Sequence, residues 1–409
     1  MPEFLHLLPP PEALSKLMQH LSAHPVPEEV ETAAALGRVT AAAVLAPHPL
    51  PAFPRSTVDG YAVRAADTHG ASESLPAYLA LAGEVQMGAE AGFSLTPGAC
   101  ALIHTGGMLP EGADAVVMVE HTQPARPGEV EVLRAAAVGE NVIRVGEDVA
   151  GGDEVLPAGR KLRPAEIGGL MALGMTRVRV ARRPKVGILS SGDEVVSPEA
   201  ELRPGQVRDV NAYTLSALVE SAGGEPVRCG ILPDEAGALL AAAARALAEC
   251  DLVVITAGSS ASTRDLTAAV ISELGSPGVL VHGVNVRPGK PTILAVCDQK
   301  PVIGLPGNPV SALVIASLFV VPVIEALLGL KSTLRASVPA VLSLNLPSQA
   351  GREDWVPVCL VEGPEGRRAE PVFGKSNLIF TLARADGLVR IPPDTTGLSA
   401  GEQVQVLYF

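Results

Sequence analysis

The run Pro306-Gly307-Asn308-Pro309-Val310-Ser311 puts a tight turn, a capping side chain, a proline and a hydroxyl side by side. An apolar segment, 301–305, precedes it and a long apolar helix pattern follows. The spacing predicts a strand, a loop and a helix start. Asn308 takes the N-cap and Pro309 the first helical position, where its missing N–H costs nothing. The free backbone N–H groups and the Ser311 hydroxyl would then face the loop as an anion site. A capped helix without a ligand is the competing reading, and the better one for such a loop standing alone. Just upstream, Arg287-Pro288-Gly289-Lys290-Pro291 supplies fixed positive charge, although a solvated basic turn would have the same composition.

Carboxylates supply the second kind of chemistry. Asp193, Glu194, Asp234 and Asp265 each follow an expected strand. Hard oxygen donors gathered on one rim suit Mg²⁺, which bridges phosphate oxygens. Ordinary helix capping accounts for any one of these acids. Their shared rim argues that at least two lie near metal or substrate. Ser191 and Gly192 share the first of these loops. Gly258, Ser259 and Ser260 begin a hydroxyl-rich run to Thr263 that could cradle an oxyanion, or serve only as a polar loop. Asp59-Gly60-Tyr61-Ala62 and His104-Thr105-Gly106-Gly107 are compact polar insertions that turn chemistry alone could explain. The eight histidines show no HExxH or other metal-ligand spacing. GxGxxG and GxxxxGK[ST] are absent, which disfavours dinucleotide and P-loop enzymes.

These loops need a scaffold. From Pro184 the pattern alternates strand and helix and ends in an apolar helix after Pro309. That rhythm predicts a doubly wound α/β domain with a mostly parallel sheet. Ligands then bind beyond the carboxyl ends of its strands. Residues 55–140 read as short strands with Gly/Pro turns, a small β-rich module. The first 45 or so residues read as helices, PEALSKLMQHL and then PEEVETAAALGRVTAAAVLA, followed by a Pro-rich linker from Pro47 to Pro54. Residues 141–180 read as a turn-rich connector with a helix from Pro164 to Leu173. After about 331 short strands return.

With 409 residues, 47% apolar and only 3% aromatic, the composition is that of a soluble multidomain protein. A formal charge of −13 argues against nucleic acid or an anionic membrane as partner. A small anion would need a local basic pocket or a bridging metal. Five scattered cysteines without a CxxC pair argue for a reducing cytosol, and no signal peptide is expected. Residues 311–330 are apolar for about a bilayer span, but Pro322 and Glu325 interrupt them, so a buried helix is the preferred reading.

Taken together, the segments PAFPRSTVDGYAVRAAD, PGACALIHTGGMLPEGADAVVMVE, GENVIRVGEDV, LSSGDE, VRPGKPT and GLPGNPVSALV resemble the molybdopterin molybdenumtransferase family. These are the molybdenum insertases that include the gephyrin E domain. The resemblance runs through nearly the whole chain, and the order of the segments makes it specific. It implies an elongated, cytoplasmic homodimer of four-domain subunits. The domains would be 1–46 plus 141–180 (helical connector), 47–140 (β-rich module), 181–330 (α/β, pterin-binding) and 331–409 (a small β-barrel). It implies that adenylylated molybdopterin and molybdate are substrates, that Mg²⁺ assists, and that AMP is released. A molybdopterin adenylyltransferase is a candidate partner. By position it marks Asp59, Thr105, Glu194, Asp234 and Asp265 as catalytic, with Glu194, Asp234 and Asp265 on the metal. Ser191, Gly192, Asp193, Gly258, Ser259, Ser260, Arg287, Lys290, Pro306, Gly307, Asn308 and Ser311 would contact substrate. The chain departs from the family pattern at AGSSASTRDL, which is one residue shorter with Leu266 for a usual Tyr, at Val58, and at Arg287. Two other readings fit the same residues: a non-catalytic pterin carrier and a tungstate-using insertase.

Overall fold

The computed structural model describes residues 7–257, 261–331, 336–363 and 366–408; for 261–265 it describes the backbone alone. The centre of the molecule is a six-stranded sheet in the order Glu225–Leu232, Lys185–Ser191, Leu252–Ala257, Lys300–Pro306, Ile293–Cys297 and Pro277–His282. The first four strands are parallel. Ile293–Cys297 runs antiparallel to Lys300–Pro306 and Pro277–His282 reverses again. Pro277–His282 therefore ends on the same rim as the four parallel strands, so the basic loop and the acidic loops share that rim, the basic loop at one edge of the sheet and the loops of Lys185–Ser191 and Glu225–Leu232 at the other.

Helices cover both faces. Leu252–Ala257 is buried at every position, as a strand sandwiched between helices requires. Its side chains alternate: Leu252 and Val254 pack with the helices Asn211–Ser221 and Pro309–Leu327, while Val253 and Ile255 pack with Ala236–Glu249 and the helix Ala261–Glu273. The helix Pro309–Leu327 is long and apolar enough to cross a membrane by length and composition. Its Val314, Ile315, Phe319, Val323 and Ile324 are nevertheless fully buried against the sheet, which is the behaviour of a core helix.

The expected helix at PEALSKLM is present as Pro10–Met18, with Ala13 and Leu17 in the α/β core. The second expected helix is absent. Pro27–Glu31 is a strand paired antiparallel with Arg177–Ala181, Thr32–Ala34 is a short 3-10 turn, and Val44–Leu45 pairs with Glu154–Leu156. Pairing along the full length of Arg177–Ala181 and an alternating burial pattern make it a strand, and cross-strand charge accompanies it: Arg177 reaches Glu29 at 3.2 Å and Glu31 at 2.6 Å. Those acids lie two apart, a strand spacing, and tertiary pairing overrides the helix propensity of an Ala-rich stretch. The stretch 47–54 is held rather than free, with the Leu50 N–H donating to Val149 O at 2.8 Å.

Two β units complete the chain. Residues 60–132 form a six-stranded sheet in the order Ala115–Met118, Gly60–Val63, Ala99–Ile103, Ala77–Glu84, Glu129–Val132 and Thr122–Pro124. Near the C-terminus, Glu353–Gly363, Gly366–Pro371, Ser337–Leu342, Gln403–Tyr408 and Gly387–Ile391 close on themselves as a five-stranded barrel. Val286–Arg287, from the basic loop of the α/β domain, pairs in parallel with Glu353–Asp354 of that barrel. This pairing fixes one wall of the site to the other.

Candidate functional site

A cleft of ≈ 1240 Å³ lies between the α/β domain and the barrel. One wall is the loop 285–291 with Asn308, Val310 and Ser311 from the start of the helix Pro309–Leu327. The facing wall comes from barrel residues 346–357 and 372–377. Arg287, Lys290, Asn308 and Ser311, all singled out in the sequence, meet here.

The basic loop has little freedom. Gly289 has φ +114°, and a Cβ there would lie 2.2 Å from Ile315 Cγ1, so only glycine fits. The Thr292 hydroxyl donates to Gly289 O at 2.6 Å, and the Val284 N–H to Lys290 O at 2.9 Å. Both side chains at its ends are exposed to the cleft. Arg287 lies 3.8 Å from Asp354, but that carboxylate is already held by Arg352 at 2.7 and 3.0 Å. The charged residues of the cleft are thus Arg287, Lys290, Arg352 and Lys375 against the single carboxylate of Asp354. In a chain of formal charge −13 this is a local reversal of sign.

The helix start differs in one respect from expectation. Asn308 occupies the N-cap and Pro309 opens the helix, but the Asn308 side chain makes no capping bond. Its amide donates instead to Ser376 Oγ at 3.1 Å, and the Val310 N–H donates to Ser376 O at 3.1 Å. A barrel loop therefore takes one of the helix's free donors and the capping side chain. Gly307 O accepts from the Asn211 amide at 2.8 Å, while Asn211 Oδ1 is buried without a partner among the described residues. Pro306 ends its strand in a buried position.

A second group lies at the ends of Lys185–Ser191 and Glu225–Leu232. The Ser191 hydroxyl donates to Asp234 Oδ1 at 2.5 Å, and the Asp234 N–H donates to Asp193 Oδ1 at 3.2 Å. A Cβ on Gly192 would lie 2.9 Å from Glu194 Oε2, so the glycine lets that carboxylate fold over the turn. Asp193 and Glu194 are exposed. Gly258, Ser259 and Ser260 lie outside the described residues, as does the side chain of Asp265. Among the described residues, no group of three or more His, Cys, Asp or Glu is placed to hold a metal.

A third group sits on the β-rich module. Asp59 Oδ1 accepts from the Thr105 N–H at 2.9 Å and its hydroxyl at 3.4 Å. His104 stands between Asp59, 3.6 Å away, and Glu84, 3.2 Å away. The Thr105 backbone donor is the main cause holding the Asp59 carboxyl below its ordinary range. Gly60 sets the turn's position, because a Cβ would strike Val117 O. Asp59, Thr105, Ser191, Gly192, Asp193, Glu194, Asp234, Pro306 and Gly307 do not line the cleft. Sequence reasoning did not select Arg352, Lys375, Ser376 or Glu84, and named His104 only as part of a polar insertion without a role. The run Gly374-Lys375-Ser376-Asn377 has the composition of a polar binding loop and was the signal to find.

The fold and the site define a multidomain α/β protein with a basic cleft between its α/β domain and its C-terminal barrel. Three family models match: the MoeA N-terminal region (domain I and II) over 8–174, a probable molybdopterin binding domain over 187–326, and the MoeA C-terminal region (domain IV) over 339–409. The molybdopterin molybdenumtransferase of Nostoc is 37% identical, covering 93% of this chain and 88% of that protein. The enzyme of the same name from Bacillus subtilis is 34% identical, covering 91% and 87%. The crystal structure of the molybdopterin biosynthesis MoeA protein from Pyrococcus horikoshii OT3 has a TM-score of 0.86 at 32% identity, covering 98% of this chain and 100% of that one. The chain belongs to the molybdopterin molybdenumtransferase family, transferases of molybdenum cofactor biosynthesis.

Proposed function

We propose that the protein inserts molybdate into adenylylated molybdopterin and releases AMP with the help of Mg²⁺. The observation that carries this reading is the charge of the cleft: four cations and one carboxylate in an acidic chain. Such a cleft focuses field on a polyanion and raises its local concentration. Arg287 and Lys290 would take phosphate oxygens, Arg287 with its fork and Lys290 as a point charge. Ser311, buried at the helix start and lining the cleft, would offer its hydroxyl to the same ligand.

The acidic group fits Mg²⁺ by its donor chemistry. Asp234 keeps one oxygen beyond its bond to Ser191, and Glu194 is exposed on the loop that ends the neighbouring strand. Mg²⁺ is commonly held through one or two carboxylates, waters and substrate phosphates, so a three-residue protein cage is not required. Glu194 and Asp234 would hold the ion, with Asp265 as the third ligand and Asp193 beside them. When bound, it offsets the negative charge that molybdate and phosphate bring together. The Ser191 hydroxyl keeps Asp234 oriented, and Gly258, Ser259 and Ser260 would offer N–H and hydroxyl donors to the substrate.

The assembly is read as a homodimer whose partner completes the site. Asp59 and Thr105 do not line their own chain's cleft, and a two-fold dimer can bring them to the partner's acidic rim. Five free thiols support a reducing cytoplasm as the compartment. A molybdopterin adenylyltransferase would supply the substrate. The test incubates the protein with adenylylated pterin, Mg²⁺ and either molybdate or tungstate, then measures AMP and active cofactor. AMP release with cofactor formation in the molybdate arm is expected. Binding without AMP release would make the protein a carrier, and cofactor only with tungstate would reassign the metal.

A further inference from the structure

We propose that Phe373 is the stacking residue of the cleft, receiving the flat heteroaromatic ring of a ligand whose phosphate rests on the neighbouring cations. The inference rests on the reading of the cleft as a phosphate-ligand site and adds the residue that recognises the ring.

Aromatic side chains are scarce here: seven Phe, four Tyr and one Trp in 409 residues. Two of them line the cleft, Trp355 and Phe373. Trp355 is 8% exposed and its indole N–H donates to Glu353 Oε1 at 2.8 Å, so it belongs to the interior. Phe373 is 67% exposed, an expensive place for a phenyl ring with no partner. Leu378 and Phe380 are also exposed nearby in the chain, but neither lines the cleft.

The segment that carries Phe373 is fixed on both sides. Before it, the Val372 N–H donates to Pro357 O at 2.8 Å. After it, the backbone of Gly374 sits so tightly on Thr381 that a Cβ would lie 2.2 Å from the hydroxyl oxygen. Further on, Ser376 receives the Val310 N–H and the Asn308 amide from the opposite wall. The ring is therefore presented by an anchored loop and needs little ordering when a ligand arrives. Lys375, two residues on, lines the same cleft with Lys290 and Arg287. An exposed aromatic face beside phosphate-seeking cations is the combination that holds a planar base and its phosphate together. Adenine and pterin share that chemistry, so the experiment must separate them.

The full-length protein is titrated by calorimetry with AMP, with neopterin monophosphate, and with ribose 5-phosphate, which has no ring. Phe373→Ala is expected to weaken binding of a ring-bearing ligand about tenfold while leaving ribose 5-phosphate unchanged. Phe373→Tyr is expected to restore the ring ligand's affinity. Loss on AMP alone assigns the ring to adenine; loss on neopterin monophosphate alone assigns it to pterin. Equal effects on all three ligands, or no effect on any, would overturn the proposal. So would wild-type protein that binds ribose 5-phosphate as tightly as both ring ligands. Absence of AMP release from adenylylated pterin would instead sink the proposed reaction while leaving ring recognition standing.

Discussion

The basic cleft and the acidic rim are held in different ways. The cleft is built from two domains that lock each other: Val286–Arg287 adds to the barrel sheet, and Ser376 of the barrel takes donors from the start of the helix Pro309–Leu327. Arg287 and Lys290 stand exposed on a backbone that cannot move far, because Gly289 between them is wedged on Ile315. The acidic groups are held instead by hydrogen bonds between neighbouring loops of one domain, Ser191 to Asp234 and Thr105 to Asp59, with Asp193, Glu194 and Asp59 open to solvent. The difference suggests a division of labour. A pre-organised charged cleft serves affinity, because ordering is already done before the ligand binds. In the proposed reaction, exposed carboxylates on separate domains would serve chemistry only once ligand, ion or a second subunit brought them together.

The sharpest way to break that division is to remove one carboxylate and measure binding and turnover separately. Asp234→Asn keeps the size of the side chain and a partner for Ser191. It is expected to lower AMP release at least a hundredfold, a typical loss for a group acting on the reacting centre. AMP affinity in the cleft should stay within twofold or so, since Asp234 does not line it. Equal loss of both would mean that rim and cleft are one binding site. The same variant tests the shared dimer. Mixing it with inactive Asp59→Asn after subunit exchange should return about a quarter of wild-type activity, on the statistics of random pairing. No recovery, with exchange confirmed independently, would place the whole site within one chain.

The second prediction attacks the rigidity of the cleft. Gly289→Ala places a Cβ against Ile315 at a backbone φ of +114° that alanine resists. A cost of about 2–3 kcal/mol in stability is expected from strain plus overpacking. Denaturant midpoints measure it. A loss below about 0.5 kcal/mol, the range of ordinary surface substitutions, would show that the loop yields easily.

These contrasts also explain what the sequence could reveal. The α/β sheet was legible because 252–255 and 301–305 are short apolar runs next to helix patterns, the mark of strands covered on both faces. The strand Pro27–Glu31 was not, because its partner Arg177–Ala181 is remote in sequence and its charges pair only after folding. The same reason hid half of the cleft. Arg287, Lys290 and Ser311 could be found from strand-end logic, but Arg352, Lys375 and Ser376 sit on turns of a barrel. Nothing local says which turns face another domain. Asn308 shows the limit most clearly: its position as N-cap was readable, while its side chain chose a barrel serine over its own helix.

A smaller effect is expected from Lys290→Ala. The side chain is exposed in the cleft, so its contact with phosphate is a screened charge interaction. AMP affinity should fall about tenfold at low ionic strength, and the gap should narrow as salt rises, because the Debye length shrinks to about 3 Å at 1 M. A salt-independent loss would point to a change of shape rather than charge. Unchanged affinity at low salt would leave Arg287, Arg352 and Lys375 as the phosphate contacts.

The smallest effect concerns the rim on the β-rich module. Asp59 is held below its ordinary carboxyl range chiefly by the Thr105 backbone N–H, with the Thr105 hydroxyl and the charge of His104 adding less. A depressed folded value means that the interaction is fully present above the ordinary value of about 3.8. It is lost as pH falls through the lowered one. His104→Gln removes the charge that an imidazolium carries in acid and leaves the backbone donor in place. The Asp59 midpoint, followed by carboxyl-carbon NMR, should rise in this variant but remain below that of an unperturbed aspartate. A rise to the ordinary value would make His104, not the turn, the group that sets Asp59. That result would bring the rim closer to the cleft in kind, since a neighbouring side-chain charge rather than local backbone geometry would then tune it.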